Sequence, residues 1–145
     1  MAWLSKISRL WSVSMFFSID PSDEVPIYEQ IVRQVKLAVA EGALVGGQMI
    51  PSVRQLAGEL AINPNTIARA YGQLQTDLVV EPLRGRGLIV RRDAIKRCTK
   101  ARNAIVGDAL CRVLDDAISG GMTADELRAQ FEAELSKRLS SGEGS

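Results

Sequence analysis

A chain of 145 residues has room for one compact domain and a small appendage. With 46% hydrophobic and 24% charged residues it is globular rather than disordered, and it lacks an apolar run of about eighteen residues, so no membrane span is expected. The absence of His excludes a His-ligated metal and a His general base, and the two cysteines, Cys98 and Cys111, are too few and too far apart for a zinc site of their own. They read as small core hydrophobes of a protein in a reducing, cytoplasmic compartment.

The net charge of +1 hides a strong asymmetry. Residues 63–102 carry nine Lys and Arg against three acids, whereas residues 20–62 carry three against six and residues 103–145 four against eight. A polyanion responds to local field rather than net charge, so the middle of the chain is where one is expected to land.

In chain order, residues 1–14 place Trp3, Leu4, Ile7, Leu10 and Trp11 at helical spacing with Lys6 and Arg9 between them. The pattern fits an amphipathic membrane-surface helix or, the reading favoured here, an extension upstream of a natural start at Met15. A short extended stretch at 16–19 and a turn at Asp20-Pro21-Ser22-Asp23 follow. Pro26 suits the first turn of a helix over residues 26–41, ended by Gly42, with Ile27, Ile31, Val35 and Ala38 along one face and Tyr28, Val32 and Val39 beside it. Residues 42–50 hold three glycines but no phosphate-loop pattern, and read as a connector.

Ser52 is positioned to cap a two-turn helix over residues 53–60, because its hydroxyl can accept from an unpaired first-turn amide. Pro64 cannot continue that helix but suits the first position of a second one, with Asn63 as its N-cap. Ile67, Tyr71, Leu74 and Leu78 form the apolar stripe of this second helix, and Asn65, Thr66, Arg69 and Gln73 its opposite face. Two short helices joined by a tight turn, the second opening on amides and hydroxyls, match what a DNA major groove admits and reads; taken alone, the second helix equally fits an amphipathic helix with a solvated polar face. Leu78-Val79-Val80 and Leu88-Ile89-Val90 are then strand-like runs around a turn with two glycines and two arginines, Arg84-Gly85-Arg86-Gly87. Arginines at a turn tip have no structural role there and suit phosphates or a minor groove. After it, Arg91, Arg92, Lys96, Arg97, Lys100 and Arg102 begin a further helix, either beside the DNA backbone or as a solvated face.

Ile105, Val106, Leu110, Val113, Leu114 and Ile118 continue as an apolar stripe to Gly120-Gly121. Thr123 and Glu126 form a capping box, and Met122 and Leu127 sit at the positions of a hydrophobic staple. Leu127, Phe131, Leu135 and Leu139 recur every four residues in the last helix, and residues 140–145 read as a frayed tail.

The segments Pro51-Ser52-Val53-Arg54-Gln55-Leu56-Ala57 and Asn63-Pro64-Asn65-Thr66-Ile67-Ala68-Arg69-Ala70-Tyr71, with the Arg-Gly-Arg-Gly turn, resemble the GntR family of bacterial transcription regulators. Met15 to Asp20 and Val25-Pro26-Ile27-Tyr28-Glu29-Gln30-Ile31 extend the likeness, and the short tail is similar to the family's YtrA-type branch. The resemblance implies a mainly α fold with a small β-hairpin. It implies a winged helix-turn-helix DNA-binding domain over residues 15–92 and a two-helix C-terminal dimerisation hairpin over 93–139. It also implies a DNA contact by Arg54, base contacts by Asn63, Asn65 and Thr66, and a wing tip at Arg84-Gly85. Many members have a DNA-contacting Arg where this chain has Ala68, with Arg69 next to it, and whether Arg69 takes over is open.

The expected function is a sequence-specific regulator, acting as a repressor on a palindromic operator in double-stranded DNA. Asn63, Asn65, Thr66 and Arg69 are assigned to bases, and Ser52, Arg54, Gln73, Arg84, Gly85 and Arg86 to the DNA backbone or wing. Two amphipathic helices are too little for a core of their own, so they pack either on the first domain, in a monomer with the hairpin folded back, or on another chain. The resemblance favours the second, and Val106, Leu110, Val113, Leu114, Leu127, Phe131 and Leu135 are assigned to a homodimer interface. No cofactor or metal is expected, and no residue cluster points to a small-molecule effector. The alternative is a winged-helix protein-interaction module tethered by residues 1–14, against which the basic block and the wing arginines count. No nucleophile–base set suggests an enzyme.

Overall fold

The computed structural model describes residues 17–142, and the amphipathic stretch at 1–14 and the proposed start at Met15 lie outside them. Helix α1 spans Ile27–Glu41, with Pro26 at its N-cap and Gly42 closing it by donating its backbone N–H to the Val39 carbonyl. Its buried face is Ile31, Val32, Val35, Ala38 and Val39, as the periodicity requires. Gln30 is buried with them because its amide is fully used: it accepts from the Asp20 N–H and donates to the Asp20 and Val25 carbonyls, each within 2.9 Å. Gln34 pairs in the same two-way manner with the backbone of Ser18, so the extended segment before α1 is fastened along it.

Helix α2 is Val53–Leu60 and α3 is Pro64–Thr76. Both expected caps form: the Gln55 amide donates to Ser52 Oγ at 3.1 Å and the Asn65 amide to Asn63 Oδ1 at 2.9 Å. Helix α2 ends on Ala61, whose φ of 53° is left-handed. Leu56, Ile67 and Leu74 are fully buried, and Tyr71, nearly so, donates its hydroxyl to the Pro51 carbonyl at 2.8 Å. That bond ties the middle of α3 to the residue preceding the α2 cap. Burial pushes the Tyr71 phenol well above its usual pKa, so it stays a donor.

The hairpin differs from expectation at its first strand. Strand β1 is Val80–Leu83 and β2 is Gly87–Val90, antiparallel with Val80 opposite Val90 and Leu83 opposite Gly87. Leu78 belongs neither to the strand nor to the core stripe of α3: it has φ 59° and is 45% exposed. It turns the chain after the Asp77 cap, so the apolar run enters the core only at Val79 and Val80. Pro82 is tolerated in β1 because the hairpin has only two strands. The connector adds an edge to β2, which the sequence reading did not foresee: Met49 bridges Ile89, and backbone bonds join Gly47 and Gln48 to Val90 and Ile50 to Leu88. Gly46 is required here, since a Cβ on it would stand 2.7 Å from the Cα of Arg92.

Helix α4 is Ala94–Ser119 and α5 is Ala124–Gly142. Ala94 and Cys98 are completely buried in the core cluster of α1–α3 and the hairpin. The chain divides into two compact units within α4, the first reaching Asn103 and the second beginning at Ala104. In the second unit, Gly120-Gly121 ends α4 and the capping box forms as expected, with the Glu126 amide donating to Thr123 Oγ1 at 3.2 Å and the Thr123 amide to Glu126 Oε2 at 2.8 Å. Helix α5 runs past the expected fray at 140, and the Ser140 and Ser141 hydroxyls donate back to carbonyls of Ser136 and Lys137. Cys111 is exposed, so only Cys98 is the core thiol expected of both. Among the described residues no helix is long and apolar enough to cross a membrane.

Candidate nucleic-acid interface

Helix α3 presents the residues assigned to bases on its outward side. Its buried residues Ile67, Ala70, Tyr71 and Leu74 hold the other side against α1 and α2. Asn63 and Asn65 are exposed and Thr66 half-buried. Asn63 spends its carbonyl oxygen on the cap, leaving its two N–H donors for a ligand. The Asn65 and Thr66 side chains make no hydrogen bond among the described residues, so their donors and acceptors face solvent. That is the state a base-reading group must have before DNA arrives.

Arg69 and Gln73 are placed differently. The Arg69 guanidinium carbon lies 3.8 Å from the centroid of the Tyr28 ring on α1, a stacked cation–π contact. Gln73 donates its amide to Asp77 Oδ1 at 2.9 Å, and the other oxygen of Asp77 takes Lys36 Nζ from α1 at 2.7 Å. One flank of α3 is thus fastened to α1 at two levels about two turns apart. The sequence assigns no site role to Tyr28, Lys36 or Asp77. The only signal was position: Tyr28 stands beside the core face of α1, where an aromatic ring can cover a neighbouring helix.

Arg54 on α2 and Arg84 and Arg86 at the wing tip are exposed and without a hydrogen-bond or ion-pair partner among the described residues. The tip is a turn closed by the Arg86 amide donating to the Leu83 carbonyl at 2.9 Å, with Gly85 at φ 71° in its third position. That angle favours glycine and aims the two flanking guanidinium groups outward. Ser52 keeps its hydroxyl proton available beside the cap bond it accepts.

The basic run after the wing separates into two sets. Arg91 pairs with Asp93 at 3.0 Å and Glu81 at 3.2 Å, and Arg97 pairs with Asp93 at 2.9 Å. Both guanidinium groups hold the Asp93 carboxyl well below its usual range, the Arg97 hydrogen bond contributing most. Arg102 is half-buried and donates to Asn103 Oδ1 at 3.1 and 3.2 Å. Arg92, Lys96 and Lys100 are exposed with no side-chain partner among the described residues, so these three are the cations of the stretch most open to a phosphate.

In the second unit, Val106, Leu110, Val113, Leu114, Phe131 and Leu135 are each at least 39% exposed, and Leu127 is half-buried. Leu110, Val113, Leu114, Leu127 and Phe131 line a groove of about 360 Å³ between the end of α4 and the start of α5. Helix α5 buries no residue at all.

Comparison with known proteins agrees with this geometry. The family model for bacterial regulatory proteins of the gntR family matches residues 27–90, from the start of α1 to the end of β2. The chain is 35% identical over 109 residues to the HTH-type transcriptional repressor YtrA of Bacillus subtilis, covering 75% of this chain and 84% of that protein. A GntR family transcriptional regulator from Listeria monocytogenes superposes with a TM-score of 0.67 at 28% identity, over 77% of this chain and 97% of its own. YtrA from Sulfolobus acidocaldarius, a GntR-family transcription factor, does so with a TM-score of 0.51 at 26% identity, over 83% and 97%. The chain therefore belongs to the gntR family of bacterial regulatory proteins, as a DNA-binding transcription regulator of the YtrA type with a winged helix-turn-helix.

Proposed function

We propose that two copies of this chain bind an inverted repeat in double-stranded DNA and repress transcription by occupying a promoter. The observation that carries this reading is the set of unengaged polar side chains on one structural unit: Asn65 and Thr66 on the first turn of α3, with Arg54, Arg84 and Arg86 around it. Asn63, Asn65, Thr66 and Arg69 read base edges in the major groove. Arg54 and the wing arginines neutralise phosphates and set an affinity that falls steeply with salt, with Ser52 adding a neutral contact. Gln73 supports α3 through Asp77 and is a secondary contact at most.

The apolar residues left exposed on α4 and α5 support pairing of copies through the helices after the wing. A homodimer places two recognition helices about one DNA turn apart and makes the operator palindromic. The name of the Bacillus subtilis relative, a repressor, supports the sign of regulation. A cytoplasmic location follows from the same function. In this reading the DNA-binding domain is residues 15–92 and the dimerisation hairpin 93–139, although the first compact unit reaches Asn103 and holds the start of α4 through Ala94 and Cys98.

The test compares two variants on specific and random duplexes. Arg54→Ala is expected to weaken both alike, whereas Asn65→Ala is expected to relax discrimination at one base pair by ~1–3 kcal/mol. Equal losses on both duplexes for Asn65→Ala remove it from the base-reading set. Transcription in vitro from a promoter overlapping the operator is expected to fall as protein is added, and a rise would reverse the sign.

A further inference from the structure

We infer that Tyr28, on the first helix and outside the helix-turn-helix, is a positioning residue for base specificity: its ring fixes the Arg69 guanidinium for the major groove. The inference rests on the reading of Arg69 as a base contact. An arginine reads guanine only when its planar fork meets O6 and N7 together, so orientation matters as much as charge. A long side chain on an exposed helix face samples many rotamers and loses that freedom on binding. The Arg69 guanidinium lies instead against the Tyr28 ring, 3.8 Å from its centroid. Stacking occupies one face of the guanidinium. Its N–H donors lie in the plane and stay unspent: Arg69 has no hydrogen-bond or ion-pair partner among the described residues.

The platform is itself held. Tyr28 packs against the core cluster through the first turn of α1, and the same helix is fastened to the far end of α3 by Lys36 and Asp77. Asn65 lies one turn before Arg69 on the outward side of α3, so the stacked guanidinium and the free Asn65 amide fall in one row along the helix. This gives a physical account of how a chain with Ala68 can use the neighbouring position. An arginine one residue along points about 100° around the helix, and a ring on α1 returns its head group to a defined place.

The experiment measures binding of Tyr28→Leu, Tyr28→Phe, Arg69→Ala and the Tyr28→Leu/Arg69→Ala double variant to an operator and to its single-base-pair substitutions, with thermal unfolding alongside. Tyr28→Phe keeps the ring and is expected to bind and discriminate like wild type. Tyr28→Leu is expected to lower discrimination about two- to fivefold, the strength of an exposed cation–π contact, at the same base pair that Arg69→Ala affects, with random-sequence affinity unchanged. The double variant is expected to discriminate no worse than Arg69→Ala alone. If Arg69→Ala loses discrimination and Tyr28→Leu does not, or if Tyr28→Leu acts fully in the Arg69→Ala background, Tyr28 does not position Arg69, although Arg69 still reads a base. If Arg69→Ala leaves discrimination intact, the base-contact reading of Arg69 fails and takes the inference with it.

Discussion

The Arg97 guanidinium donates to the carbonyl of Leu78 at 3.2 Å, joining the first turns of α4 to the point where the chain leaves α3. Leu78 is held there at φ 59°. The same guanidinium reaches Asp93, which also takes Arg91 from the end of β2, so helix, wing and bend share one small ionic cluster. It spends two arginines on structure that a count of charges assigns to DNA.

Acid is expected to loosen this cluster. Asp93 is held below its ordinary range by Arg97 and Arg91, and Glu126, Glu134 and Asp20 are lowered by the Thr123 amide, by Arg138 and by Ser22. A depressed folded-state pKa contributes stability that is present above the unfolded value, about 4, and lost as pH falls through the folded one. Melting temperature is therefore expected to be flat between about pH 5.5 and 7, where a chain without His has no side chain at its ordinary pKa to titrate, and to decline below about pH 4. Asp93→Asn is expected to melt lower at neutral pH and to decline less steeply in acid. Parallel melting curves against pH for the two proteins contradict the assignment.

Ala61 closes α2 in a left-handed conformation that costs an L-residue roughly 1–2 kcal/mol. Its side chain is exposed, so little packing is lost by removing it. Ala61→Gly is expected to raise unfolding free energy by up to about 1 kcal/mol, after allowing for the entropy of glycine in the unfolded chain. Ala61→Val is expected to lower it. Chemical denaturation with an unchanged m-value checks both.

The wing arginines are expected to act through phosphates. Arg84→Ala and Arg86→Ala are each expected to reduce the slope of log affinity against log salt by about 1, with base preference unchanged. Gly85→Ala forces a side chain into φ 71° and is expected to weaken DNA binding without removing a charge. Fluorescence anisotropy at four salt concentrations separates these outcomes. A changed base preference for either arginine moves it from the phosphate set to the base set.

The exposed stripe of the last two helices is expected to be the dimer contact. Leu114→Asp or Phe131→Asp is expected to raise the dimer dissociation constant roughly tenfold or more, the equivalent of losing one buried apolar side chain. Sedimentation equilibrium reads this directly. Dimers of unchanged strength in both variants place the interface elsewhere.

What was legible in the sequence was local. Ser52, Asn63 and the Thr123–Glu126 pair cap their helices as their spacing demands, because a cap is a contact within three residues. The buried faces of α1 and α3 follow from period 3.6 for the same reason. What was not legible depends on distant partners or on an unusual backbone. Leu78 looks like the first residue of a strand and is a left-handed bend, which moved β1 by two residues. The edge that the connector adds at Met49 is long-range, as are the Tyr28–Arg69 stack and the Lys36–Asp77 pair. The partition of the basic run is partly local, since Arg91 and Arg97 stand two and four residues from Asp93; what needed the fold is Glu81 beside Arg91 and the Leu78 carbonyl beside Arg97.

The most direct measurement is selection of the purified chain on a library of randomised duplexes, with sequencing, at low and at physiological salt. Recovery of one inverted repeat with half-sites about a helical turn apart, bound more weakly as salt rises, is the predicted result. Weak binding with no enriched sequence at either salt contradicts a specific dimeric reader of DNA and favours a winged module that binds another protein.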